Sequence, residues 1–167
     1  AVEAATVGRL SGTMPVSLDE PNVLVLDMPK WRLEGDAGWQ GPEEILRLDN
    51  QVRERLGLRE RGGHIVQPWV YGKDYRKLAT LELSYRFDSL VKVENPLFAM
   101  EEPERAELFL DGRPVEFEEC GWWTDESLRT TMLPAIEPGE HELLVKIAYS
   151  NSGNVEKCFL LGDFGVE

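Results

Sequence analysis

The chain is short of almost everything that usually identifies an enzyme from its sequence. It has two histidines and two cysteines in 167 residues. No Walker loop, G-x-S-x-G or H-E-x-x-H occurs, which removes the phosphate-cradling, α/β-hydrolase and zincin readings. Asp163-Phe164-Gly165 matches the metal-binding triplet of protein kinases, but the glycine-rich loop, strand lysine and H-R-D loop that must accompany it are missing. It reads as a strand end, with Phe164 packing and Gly162 and Gly165 relaxing the backbone. His64 and His141 stand apart in the sequence and are expected to be ordinary solvated or hydrogen-bonded side chains.

Positive charge is scarce too. Lys and Arg number 18 against 31 Asp and Glu, for a net charge of −13. Such a chain repels phosphate backbones and anionic lipid, so neither nucleic acid nor a membrane surface is expected as a partner. No apolar run approaches the ~20 residues of a membrane helix. The chain opens on Ala1 with no signal-peptide pattern; it is expected to be a piece of something longer, and its compartment stays open. Cys120 and Cys158 make no disulfide framework and have no metal spacing; Cys158, in an apolar stretch, is expected to be a buried free thiol. Asp88, Glu94 and Asn95 loosely suit a calcium loop, but their spacing matches no calcium motif. No metal and no cofactor is assigned.

What the chain does have is strand pattern and turn chemistry. Leu143, Val145, Ile147 and Tyr149 share one face at strand period, with Lys146 on the other. Pro138-Gly139 turns into that strand, Ser150–Asn154 closes it, and Val155–Leu161 opens another. Ala79, Leu81, Leu83, Tyr85 and Phe87 alternate with polar residues and are predicted to point inward. Leu108 and Leu110 lead through Asp111-Gly112, a favoured hairpin turn, to Val115 and Phe117, and Pro114 puts the return segment at a sheet edge. Val91–Val93 suggests a further short strand. Asn22–Arg32 is apolar at Val23, Leu24, Val25 and Leu26, as in a strand covered on both sides, and Leu33–Gly38 turns the chain.

A single helix is expected near residues 42–57. Pro42 suits its first position, Glu43 and Glu44 its positive end, and Gly57 its stop. Ile45, Leu48, Val52 and Leu56 form the stripe that docks on the sheets. Glu43–Arg47 and Asp49–Arg53 are spaced for ion pairs on the wet side. Residues 1–20 read as an arm from a preceding domain, and 21–167 as one domain. The fold class is mostly β: an antiparallel β-sandwich of jelly-roll type with one outer α-helix, closed by its C-terminal strand.

Gly121-Trp122-Trp123 with Asp125, then Leu133-Pro134, Pro138-Gly139-Glu140-His141 and Leu160-Leu161-Gly162-Asp163-Phe164-Gly165-Val166 together resemble the C-terminal half of a galactose-binding-like β-sandwich. Domains of that kind accompany large bacterial glycoside hydrolases. The resemblance covers roughly residues 78–166, and its closing "LLGDFGV" is the more specific part. It implies an accessory domain of a glycoside hydrolase, with neighbouring domains of the parent chain as partners and carbohydrate as a second one. It also implies that this chain does not itself catalyse. With 31 carboxylates, a pair at glycosidase separation cannot be picked out by spacing, and Glu101-Glu102 and Glu118-Glu119 read as solvated charge.

The aromatics are the candidate sugar contacts, because pyranose C–H faces stack on indole and phenol rings while nearby carboxylates take the hydroxyls. Trp122, Trp123 and Asp125 form one group, and Trp69 and Tyr71, near Asp74, a second. Neighbours on a strand point to opposite faces, so one of Trp122 and Trp123 is expected in the interior and the other outside. Two readings stay open: a module that engages sugar weakly through exposed rings, and a purely structural or interaction sandwich with no ligand. A self-contained glycosidase is the third and least supported.

Overall fold

The computed structural model describes residues 8, 12, 17–61 and 73–166. Trp69, Tyr71 and His64, and most of the arm at 1–20, lie outside the described residues. The elements in order are β1 (Asn22–Leu26), β2 (Lys30–Leu33), α1 (Ile45–Arg55), β3 (Ala79–Ser89), β4 (Leu97–Met100), β5 (Ala106–Leu110), β6 (Arg113–Val115), β7 (Glu119–Trp123), β8 (Asp125–Met132), β9 (Gly139–Tyr149) and β10 (Cys158–Gly162). A short 3-10 turn at Pro103–Arg105 precedes β5.

They form an antiparallel β-sandwich. Sheet A has the order β1-β10-β4-β8-β7 and sheet B the order β2-β3-β9-β5-β6. The spine of sheet B is the long β3–β9 pair, in register from Ala79↔Tyr149 to Ser89↔Gly139. Its inward faces carry the alternation expected of them: Leu81, Leu83, Leu143 and Val145 are fully buried. The β5–β6 hairpin turns at Asp111-Gly112, both with positive φ (50° and 73°), and Pro114 lies on β6, an edge strand. Val93 contributes only a bridge to Ile136 rather than a strand.

Several expectations are corrected. Asn22–Arg32 is two strands, not one: the chain leaves sheet A after Leu26 and enters sheet B at Lys30. Strand β1 lies outside β10 at the edge of sheet A, so Val25 is exposed rather than covered, and the C-terminal strand is not the closing edge. The helix starts at Ile45, after Pro42, with Glu44 as N-cap accepting from the Arg47 amide at 3.1 Å. Its approach is fixed by Gly41, at φ 81°, where a side chain would sit 2.9 Å from the Glu43 nitrogen and 3.1 Å from the Pro29 oxygen.

A further correction concerns the helix surface. Ile45, Leu48 and Val52 are buried as expected, but so are Asp49 and Arg53, assigned to the wet side. Asp49 accepts from the Tyr149 hydroxyl at 2.6 Å and from Arg61 Nε at 2.9 Å. Arg53 donates to the Asn151 backbone and side-chain oxygens, each at 3.1 Å, and to the Arg59 carbonyl. The loop after β9 therefore covers a face that helical period alone assigns to solvent. Glu43, spaced for a pair with Arg47, instead accepts from Gln51 Nε2 at 3.2 Å.

Candidate functional site

The tryptophan group sits at the β7–β8 hairpin, where the chain reverses at Thr124 with φ 59°. Register shifts flank Gly121 and Trp122, so β7 is bulged against β8. Bulges re-aim side chains at sheet edges, and here the two indoles part. Trp122 is 58% exposed. Trp123 is half-buried and packs against Phe159 at a tilt of 56°, with ring centroids 4.9 Å apart. Asp125 lies opposite Trp123 in the register and is exposed. Hydrogen bonds from the Ser127 backbone hold its carboxyl below the ordinary carboxylate range.

The Trp123–Phe159 contact defines a surface. On sheet A, Leu24, Leu26, Phe98, Met100, Cys158 and Leu160 face the core, so the alternate residues face outward. Two rows result. Val23, Leu161, Leu97 and Met132 are cross-strand neighbours in one, and Val25, Phe159, Ala99, Thr130 and Gly121 in the next. The second row is small toward β7, where Trp123 reaches Phe159, and Ala99 and Thr130 in it are buried. Val25 and Met132 stay 43% and 55% exposed. The face is apolar nearly throughout.

Sheet B presents the opposite chemistry. Arg32, Glu82, Lys146 and Glu107, on β2, β3, β9 and β5, fall in one outward row. Beside it Thr80 and Ala148 pair, and their small side chains form the floor of a cleft of about 660 Å³. One wall is the Leu33–Asp36 turn and the other the Pro103–Arg105 turn. Sequence reasoning missed this cleft, because its lining comes from four strands that only the register brings together.

The remaining polar groups have structural partners. His141 faces two acceptors, Asp111 Oδ2 at 2.8 Å from Nδ1 and the Glu137 carbonyl at 2.7 Å from Nε2, and stacks on Phe87. Burial opposes its charge, but the bonds to Asp111 and Glu137 outweigh it and raise its pKa above the ordinary 6.5. Glu101 and Glu102 are not simply solvated: Glu102 accepts from the Asn154 amide at 3.1 Å and Glu101 from the Asn154 side chain at 2.5 Å. Both cysteines are free, and burial pushes the Cys158 thiol up to about 12. Among the described residues no His, Cys, Asp and Glu cluster could hold a metal ion.

No family model matches the sequence, and no curated protein matches it. Among solved structures, the chain is similar to part of a β-D-mannosidase from Dictyoglomus thermophilum, at 16% identity and a TM-score of 0.41 over 75% of this chain. It is also similar to part of a GH2 β-galacturonidase from Eisenbergiella tayi, bound to glycerol, at 16% identity and a TM-score of 0.42 over 86% of this chain. The chain spans 15% of the mannosidase and 25% of the galacturonidase.

Proposed function

We propose that this chain is a non-catalytic, carbohydrate-associated module of the jelly-roll, galactose-binding-like kind, belonging to a larger bacterial glycoside hydrolase. In this reading it packs beside a neighbouring domain of the parent chain and engages sugar weakly. Catalysis belongs to the parent. The observation that carries it is the apolar outer face of sheet A, where Val25, Met132, Phe159 and Trp123 meet water in the isolated chain. Around the buried Leu161, Ala99 and Thr130, partly exposed apolar surface of this kind marks an interaction site. The alternative of a ligand-free interaction sandwich shares this face and differs only in having no sugar. Trp122 is the ring of the tryptophan pair left exposed.

Methionine oxidation tests the packing. Met132 is 55% exposed while Met100 is buried at 5%, so peroxide should convert Met132 well before Met100 in the isolated chain. In the full-length parent protein Met132 should be protected to the level of Met100. Equal Met132 oxidation in the isolated chain and the parent would remove the docking role of this face.

A further inference from the structure

We propose that the cleft on the outer face of sheet B is the carbohydrate site of this module, and that its ligand is a neutral, hydroxyl-rich sugar. The inference deepens the carbohydrate half of the function above and rests on it for the class of ligand; the location rests on the cleft alone. At about 660 Å³, the cleft is within the range of about 300–1,000 Å³ typical of ligand sites. Its shape is built into the sheet, since Thr80 and Ala148 leave the floor low between two raised turns.

The walls and floor are braced before any ligand arrives. Asp36, in one wall, accepts from the Leu33 amide at 3.0 Å, from Gln40 Nε2 at 2.8 Å and from Arg55 of α1 at 3.0 Å. Arg105, in the other, donates to the Ala148 carbonyl at 2.6 Å and the Tyr75 carbonyl at 3.3 Å. On the floor Glu82 accepts from Arg32 Nε at 2.9 Å and lies 3.7 Å from Lys146 Nζ. Pre-organised polar groups of this sort cost little further ordering on binding.

Chemistry selects the ligand. Four cations and five carboxylates line the cleft, so its charges nearly cancel and neither an anion nor a cation is strongly favoured. They offer donors and acceptors side by side, as vicinal hydroxyls require. The cleft's cations also lie on aromatic rings. Arg32 sits 4.9 Å from the Trp39 centroid, Arg105 5.0 Å from Tyr75 and Lys146 4.8 Å from Phe109. Trp39 and Tyr75 remain 42% and 39% exposed, presenting apolar surface at the margin for sugar C–H faces. The polar, mixed-charge lining disfavours an apolar ligand.

Titration of the 15N-labelled chain with galactose, rhamnose and glucuronate tests this. Galactose or rhamnose should shift the amides of Thr80, Lys146 and Ala148 and the Trp39 indole saturably, and bind more tightly than glucuronate. Ala148→Trp fills the floor from outside the core and should weaken binding at least tenfold. Glu107→Lys, on an exposed side chain, should weaken it as well, and serves if Ala148→Trp fails to fold. Trp122→Ala should leave binding unchanged. The cleft is refuted if shifts centre on Trp122, if glucuronate alone binds, or if no sugar gives a saturable shift. Each of those results leaves the docking face of sheet A standing, because Met132 protection reads it independently.

Discussion

Asp49→Asn tests whether the buried charges on α1 hold the helix to the sandwich. Asp49 has no exposed surface, and its two oxygens are taken by the Tyr149 hydroxyl at 2.6 Å and Arg61 Nε at 2.9 Å. Burial, together with the Asp49 charge, pushes the Tyr149 phenol well above its ordinary value, so it stays a neutral donor. Asparagine keeps an oxygen for Tyr149 but turns an amide donor toward a guanidinium. Severing a buried pair from one side costs about 3–5 kcal/mol. Arg61 is 21% exposed and keeps the Gly153 carbonyl at 2.8 Å, which lowers the expectation to about 2–4 kcal/mol. Total stabilities of ~5–15 kcal/mol make that a large share. Urea unfolding should show a lower midpoint with an unchanged slope. A double-mutant cycle with Arg61→Met should return a coupling energy of at least ~1 kcal/mol. A loss for Asp49→Asn under about 0.5 kcal/mol, the range of surface substitutions, would refute the reasoning.

His141 predicts a pH dependence. Its folded pKa is raised above 6.5, so its contribution is fully present below that value and is lost as pH rises through the folded pKa. The neutral ring has one proton for two acceptors, Asp111 and the Glu137 carbonyl. Asp111 is 45% exposed, so solvent screening limits the effect to a few tenths to about 1 kcal/mol; His141→Gln should flatten the loss of thermal stability as pH rises from about 6.5, the ordinary imidazole value. Gly162→Ala would place a methyl 3.0 Å from the Phe164 ring and 3.2 Å from Val93 Cγ1. An overpacking loss of about 1–3 kcal/mol is expected, read as a lower melting temperature and partly recovered by adding Phe164→Leu.

Local order was legible in the sequence wherever the deciding neighbours lie within a few residues. Alternation along β3 and β9, the Asp111-Gly112 reversal and the Ile45, Leu48, Val52 stripe all follow from backbone period and turn chemistry. The splitting of the two indoles was legible for the same reason: consecutive strand residues point apart. Their different surroundings were not, since Trp123 needs Phe159 from a strand 36 positions on. Nor could period assign a strand to a sheet. Asn22–Arg32 carries apolar residues enough for one buried strand, yet it divides between opposite layers because β10 and β3 offer separate edges. Asp49 and Arg53 have the spacing of a solvated pair, and only Tyr149 at the end of β9 and Asn151 in the loop after it, folding over them, make them interior. The cleft belongs wholly to the tertiary structure: Arg32, Glu82, Lys146 and Glu107 become one row through strand register, a relation between distant segments that local pattern does not encode.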